Sequence, residues 1–415
     1  MVEHTTRRTV SSRSDRSRRM TRPAHIAMVS TPFPGHVNPS LEIIRELAAR
    51  GHRVTYANDA VYADRIAATG AEPVVYRSTL PHEGTEHPSD WPEDPAGQMA
   101  VFLDDSIAML PQLTAVYDED RPDLVLYDIT GYTGRVLAER YGVPAVQLSP
   151  SAVAWEGYEE DMAEFMDSVR ATPTGASYFA RFERWLADNG VADTDPQRFS
   201  GRPDRCLALI PRAMQPNADR VDPDRYTFVG PCLPLDLEES WRRPADGSRV
   251  ALVSLGSTFT DQPDFYRECL RAFGDLPGWH LVLQIGKHVD EAALGPIPGN
   301  VEVHRWVPQK AVLKEADLFV THAGSGGANE GLYYGVPMIA VPQAVDQFMN
   351  ADRLVELGVA RRLDTGEATA PALREALDHL TTSPDVATAL KGIRTETAEE
   401  GGTRRATDLI ETYLS

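Results

Sequence analysis

A chain of 415 residues, 42% hydrophobic and 25% charged, is too long for a disulfide-stapled miniprotein and too apolar for global disorder. At roughly 100–200 residues per domain it holds about two domains. Acidic residues outnumber basic ones 61 to 41, and the formal charge of −20 disfavours both nucleic-acid phosphates and anionic membrane surfaces as partners.

No apolar run approaches the roughly 18–20 residues that a membrane-spanning helix needs. Cys206, Cys232 and Cys269 form neither a C-x-x-C pair nor a Cys/His cluster, which argues against a disulfide framework and a structural zinc site. A cytoplasmic protein fits best. Residues 1–22 carry Arg7, Arg8, Arg13, Arg16, Arg18, Arg19 and Arg22 against Glu3 and Asp15, with almost nothing apolar, so this basic tail is expected to be disordered. No apolar stretch follows the Arg pair, so an export signal is not expected. Met20 offers an alternative start.

The ordered part opens with a short buried strand, His25–Ser30, followed by the Pro/Gly-rich turn Thr31–His36. Leu41, Ile43, Ile44, Leu47 and Ala48 then form the apolar stripe of a helix closed by Gly51, and Arg53–Ala57 is a second strand. Strand, helix, strand in about 30 residues is a βαβ unit. The alternation continues with a helix near 61–69, strand Glu72–Tyr76, strand Leu124–Asp128, a helix near 131–141 and strand Ala145–Leu148. Residues 151–200 are rich in aromatics and read as helices with a mobile segment near 168–175.

A second series begins at Val250–Gly256. It runs through helix 263–273, strand Trp279–Ile285, a strand at Val301–Val303, strand Leu318–Thr321, a helix after the glycine cluster 324–327, and strand Pro337–Val341. The fold class is α/β, with two doubly wound parallel sheets facing across a cleft. The expected organisation is a first domain 23–232, a Pro-rich charged linker 233–248, a second domain 249–403 and a last helix 404–415. Ligands of such sheets sit at the carboxyl ends of the strands, so both domains aim their loops into the cleft.

The densest chemistry lies in the second domain, in Trp306-Val307-Pro308-Gln309, Thr321–Gly331 and Pro342–Gln347. His322 and the run Gly324-Ser325-Gly326-Gly327 lie between a strand and a helix. Glycines permit close backbone approach, and a helix N-terminus supplies free N–H groups that suit a diphosphate. Gly-Lys-Ser/Thr is absent, so this is no Walker loop, and no G-x-G-x-x-G follows either domain's first strand, which speaks against a nicotinamide dehydrogenase. Glu330, about one and a half turns into the helix, could take ribose hydroxyls. Trp306 offers a ring for a base. Asp346-Gln347 offer donors and acceptors for sugar hydroxyls. Singly, each feature is more often core, turn or cap. Their order together is what carries weight.

The span Trp306–Gln347 resembles the nucleotide-sugar signature of GT-B glycosyltransferases of the UDP-glucosyl/glucuronosyl type, and Pro32–Pro39 is similar to the start of that family's acceptor domain. His36–Leu41, Trp155–Glu160 and Pro342–Asn350 look like the bacterial macrolide glycosyltransferases of the oleandomycin type. The resemblance runs from about residue 23 to the C-terminus. It implies that His36 is the general base and Asp128 its partner acid. It further implies that Trp306, the Val307 backbone and Gln309 fix base and ribose, and that Glu330 holds the ribose. Ser257, His322, Gly324, Ser325, Gly326 and Gly327 would bind the diphosphate, with Gly256 admitting it. Asp346 and Gln347 would read the sugar, with Gln347 favouring UDP-glucose.

The implied reaction is an inverting displacement in which His36 deprotonates an acceptor hydroxyl and UDP departs. UDP-glucose is then a substrate, not a cofactor, and no metal is needed; no Asp-x-Asp motif sits at a strand end. Asp104-Asp105 and Glu159-Glu160-Asp161 read as solvated helix faces. Many relatives carry another polar residue where this chain has Pro34. The expected partners are a nucleotide sugar and a hydrophobic small molecule, with a homodimer compatible with the sequence. Antibiotic inactivation is the implied role, against a rival reading as a biosynthetic transferase using a dTDP-deoxysugar. A nucleotide-sugar epimerase or hydrolase would not need His36, and a non-enzymatic sensor would not need two half-sites.

Overall fold

The computed structural model describes residues 22–82, 91–234, 240–257, 260–344 and 346–414. The expected basic tail, apart from Arg22, and part of the expected linker lie outside them.

Seven strands form the first sheet: β1 His25–Val29, β2 Arg53–Asn58, β3 Glu72–Val75, β4 Leu124–Asp128, β5 Ala145–Ser149, β6 Cys206–Ala208 and β7 Tyr226–Phe228. Their spatial order is β3-β2-β1-β4-β5-β6-β7, and every pairing is parallel. Six more form the second: β8 Arg249–Ser254, β9 Trp279–Gln284, β10 Val301–His304, β11 Leu318–Thr321, β12 Met338–Ala340 and β13 Ala360–Arg362, in the order β10-β9-β8-β11-β12-β13, again all parallel. Helices cover both faces of a parallel sheet, so central strands such as β1 and β4 are buried throughout and read as continuous apolar runs. In each sheet the strand order reverses beside the first strand, between β1 and β4 and between β8 and β11. The loops leaving those strands diverge there and leave a crevice.

Three short strands, β6, β7 and β13, had no sequence counterpart. The turn expected at 31–36 is partly helical: the first helix spans Pro34–Ala49, with Pro34 in its first turn where its missing N–H costs nothing, so His36 sits in that first turn. The segment near 168–175, expected to be mobile, is a tight joint between helices Ala163–Arg170 and Pro173–Asp188. There the Thr172 hydroxyl accepts the Gly175 N–H at 3.0 Å.

A 23-residue helix, Pro95–Tyr117, is long and apolar enough to cross a membrane by length and composition, contrary to the expectation that no such run exists. Its inward face, with Leu103, Met109, Leu113 and Tyr117, packs into the core beneath β1 and β4. Asp105 on this helix is fully buried, correcting its reading as a solvated face. It accepts the Ser78 hydroxyl at 2.8 Å and the Thr79 N–H at 2.6 Å, while burial pushes its carboxyl up. Asp104 pairs with Arg181. Glu159 and Asp161 do lie on a surface, but paired with Arg202 at 3.1 Å and Arg220 at 2.9 Å.

The last helix, Gly402–Thr412, lies on the first helix. Ala406 and Ile410 enter the core of the first sheet with Val37, Leu41 and Leu47, and Glu411 bonds Arg50 at 2.7 Å and His52 at 3.2 Å.

Candidate active site

The crevice expected to take the acceptor lies between β1 and β4. His36 Nδ1 lies 2.9 and 2.8 Å from the two carboxylate oxygens of Asp128, the last residue of β4. A carboxylate only accepts, so Nδ1 carries the proton and donates, which leaves Nε2 as a free base. The Asp128 side chain is 1% exposed and that of His36 is 24% exposed, so the ring reaches from a buried anchor toward solvent. Burial lowers the imidazole pKa, but the charge and hydrogen bond of Asp128, aided by Asp346, outweigh it and leave it above the ordinary histidine value. Asp346 follows β12 of the second sheet, and the first helix touches helix Ser325–Tyr334, so the two crevices face each other.

Thr130, which the sequence reading missed, holds Asp128 in place: its N–H and hydroxyl donate to the same carboxylate oxygen at 3.1 and 2.5 Å. An acid followed two residues later by threonine at a strand end is a turn signal that could have revealed it. Next to it, Gly131 lies so close to β1 that a Cβ would sit 2.9 Å from the Val29 carbonyl oxygen.

Phe33, Trp91 and Phe102 meet beside the dyad, with ring centroids 5.6–6.3 Å apart, and Phe33 lies 6.0 Å from the His36 ring. This aromatic wall was also missed, because its members come from three separate segments. The aromatics of residues 151–200 divide between core and surface. Tyr178, Phe182 and Trp185 are buried in the core, whereas Trp155 is half-buried and donates to Asp161 at 2.7 Å.

The crevice expected to take the donor lies between β8 and β11. Helix Ser325–Tyr334 starts at Gly324, with no side-chain cap on its first turn. The N–H groups of Ser325, Gly326 and Gly327 are therefore unused by helix bonds and available to an anion. His322 is clamped between glycines: a Cβ on Gly256 or Gly324 would come within 2.7 or 2.5 Å of its ring. Burial, opposed only by the Ser254 carbonyl, lowers the His322 pKa to about 4, so this ring is neutral at pH 7. Between them Ala323 adopts φ 60°, a strained value for a residue with a Cβ, and its carbonyl is held by the Asn350 amide at 3.0 Å. Asn350 also reaches Asp346 at 3.2 Å, and the Ser325 hydroxyl donates to Asp346 at 3.2 Å. Asn350 thus ties the glycine turn to Asp346, a link the sequence did not reveal.

Trp306 is 62% exposed, an open ring face beside Val307. The Val307 N–H donates to Gln284 at 3.1 Å, so its carbonyl is the backbone group left for a base. Gln309 donates to Glu330 at 2.7 Å, and burial raises the Glu330 carboxyl pKa. Ser257 is exposed beside Gly256. Gln347 is buried, and its carbonyl oxygen accepts the N–H groups of Gln343 and Ala344 at 2.8 and 3.1 Å. Half of that side chain braces its own loop, leaving the amide nitrogen to donate. Among the described residues no cluster of His, Cys, Asp and Glu is arranged to hold a metal ion.

Known proteins decide the family. Residues 206–389 match the family described as UDP-glucoronosyl and UDP-glucosyl transferase. The oleandomycin glycosyltransferase of Streptomyces antibioticus is 60% identical over 396 residues, 95% of this chain and 92% of that protein. The chain belongs to this glycosyltransferase family. The demethyllactenocin mycarosyltransferase of Streptomyces fradiae is 35% identical across 95% of the transferase and 87% of its own length. The crystal structure of the glycotransferase of kitacinnamycin superposes with a TM-score of 0.89 at 52% identity, covering 95% of the transferase and 100% of that chain. The transferase is a UDP-glycosyltransferase of the two-domain GT-B fold.

Proposed function

We propose that the transferase moves glucose from UDP-glucose to a hydroxyl of a macrolide or similar hydrophobic natural product, inverting the anomeric carbon, without a metal. The observation that carries this reading is the His36–Asp128 dyad at one crevice, faced by Asp346 and the glycine-rich helix start at the other. The macrolide acceptor is supported by the likeness to oleandomycin glycosyltransferase across nearly the whole chain.

The acceptor hydroxyl gives its proton to His36 Nε2 as its oxygen forms the new bond to the anomeric carbon. The bond from that carbon to the diphosphate oxygen breaks, and its electron pair leaves with UDP. Asp128 stabilises the imidazolium that forms. The leaving charge develops against the N–H groups of Ser325, Gly326 and Gly327, where a cation would otherwise serve. His322, being neutral, adds a hydrogen bond and not a charge, and Ser257 adds a hydroxyl. Trp306 stacks on the uracil, the Val307 carbonyl accepts from the base, and Gln309 with Glu330 holds the ribose. Asp346 and the Gln347 amide read the sugar hydroxyls. The aromatic wall of Phe33, Trp91 and Phe102 gives the acceptor an apolar surface beside the base. Glucosylation of a macrolide's amino-sugar hydroxyl would block its target contacts, so the cellular role is inactivation or self-protection in the cytoplasm.

A turnover assay by mass spectrometry tests this, pairing UDP-glucose and dTDP-glucose with a panel of macrolides, with and without EDTA. A glucosylated macrolide that forms equally in EDTA is expected. Loss of product in EDTA would sink the metal-free reading. The likeness to a mycarosyltransferase supports a second reading, a biosynthetic enzyme using a dTDP-deoxysugar, and competition between the two donors separates them.

Trp306→Ala should weaken UDP binding by about 5- to 150-fold, the range for losing one base–aromatic stack worth about 1–3 kcal/mol. Calorimetric titration with UDP measures it. An unchanged dissociation constant would remove the ring from the base site.

A further inference from the structure

The two sheets share a connectivity at the crevice: β3-β2-β1-β4 in one corresponds to β10-β9-β8-β11 in the other. In both, the loop leaving the first strand leads into the chemistry. After β1 it runs through Ser30 and Thr31 to His36. After β8 it runs through Gly256 and Ser257, packed against His322. In both, the second strand ends on a buried amide, Asn58 in β2 and Gln284 in β9.

The two amides do the same thing. Gln284 lies opposite Ser254 in the sheet register and donates to the Ser254 hydroxyl at 3.1 Å and to the Gly256 carbonyl at 2.9 Å. Asn58 stands one residue beyond the Val29–Ala57 pair, beside Ser30. It donates to the Ser30 hydroxyl at 2.8 Å and to the Ser30 and Thr31 carbonyls at 3.0 and 3.4 Å. Each therefore fixes the departing loop of the neighbouring strand. Gln284 does one thing more: its carbonyl oxygen accepts the Val307 N–H at 3.1 Å, so one side chain holds the phosphate-side loop and the base-side loop together. A buried strand end could equally be filled by an apolar side chain. Here the amide's hydrogen bonds are spent on loop atoms, and those loops lead to the reacting groups.

We propose that Gln284 and Asn58 are paired positioning residues, Gln284 setting the geometry of the nucleotide site and Asn58 that of the His36 loop. Neither touches substrate; each acts through a loop. The inference rests on the donor and base assignments made above.

The test uses Gln284→Met and Asn58→Leu in the full chain, read by calorimetric titration with UDP and by steady-state turnover of UDP-glucose with the macrolide found in the panel. Gln284→Met should raise the UDP dissociation constant and the UDP-glucose KM about tenfold while largely sparing kcat, because the site must be organised at the expense of binding. Asn58→Leu should leave UDP binding within about twofold of wild type and lower kcat about tenfold or more, because a misplaced base loses reactive geometry. Where Gln284→Met fails to fold, Gln284→Glu keeps the volume and the acceptor for Val307 but cannot donate to Gly256 as a carboxylate, and the same rise is expected. A Gln284 variant that binds UDP like wild type overturns the proposal, as do two variants that lose affinity and turnover in parallel. If wild-type protein fails to bind UDP, the functional reading falls and this inference falls with it.

Discussion

His36→Ala should lower turnover on the order of 10²–10⁴-fold while leaving UDP binding intact, because the proposed reaction has the lost group act on the acceptor and puts the nucleotide in the opposite crevice. The pH dependence gives the assignment a second test. A base works when unprotonated, and Asp128 together with Asp346 holds the His36 pKa above its ordinary value, so kcat/KM should rise with pH through an inflection above about 6.5. Asp128→Asn removes the main raising influence. The inflection should move to lower pH, and the rate should fall because the imidazole loses both its orientation and its counter-charge. For stability the same shift has the opposite sign. The dyad stabilises the fold fully below the unfolded pKa, and that contribution fades as pH rises through the folded value. A His36→Ala protein with wild-type turnover, or an Asp128→Asn profile unmoved along the pH axis, would overturn the dyad.

Removing residues 404–415 should cost most of the protein's stability and with it the activity. The helix buries Ala406, Thr407 and Ile410, and fully burying one large aliphatic side chain is worth about 1.5–3 kcal/mol. Deletion also uncovers the apolar face of the first helix, which carries His36, and leaves Arg50 and His52 without Glu411. The sum is several kcal/mol, against a total of about 5–15 kcal/mol for an ordinary domain. Ile410→Val should cost about 0.5–1.5 kcal/mol in the same location, a graded control. Thermal unfolding and turnover of both variants check this, and a truncated chain that melts and turns over like the full one would refute it.

Most of the sheet was legible because buried parallel strands are plain apolar runs: β1, β2, β4, β8, β9 and β11 stand where the sequence puts them. The three-residue strands β6, β7 and β13 were not, since they are too short to show a period. The dyad was accessible only through resemblance: His36 and Asp128 are 92 residues apart, and no local pattern joins them. Thr130 left a readable turn signal. Phe33, Trp91 and Phe102 did not, because their meeting depends on how the long helix Pro95–Tyr117 packs. The burial of Asp105 was misread for a related reason, as an acidic pair on a helix looks solvated until the Ser78–Thr79 backbone is seen to wrap it. Gln284 was read merely as part of strand Trp279–Ile285, and Asn58 fell one residue beyond the strand expected at Arg53–Ala57, so neither amide was marked as holding a loop.

The position of the last helix also bears on how the protein is made. Residues 25–228 supply every strand of the first sheet, yet its core is closed by Ala406 and Ile410 from the far end of the chain. On the ribosome the first half therefore emerges with an open apolar groove along the helix Pro34–Ala49, and the segment that fills it is synthesised only after the whole second sheet. At about 5–20 residues per second, the interval between those events is roughly ten to thirty seconds. Throughout it the nascent chain exposes Val37, Leu41 and Leu47, a surface open to chaperones and to premature pairing with other chains.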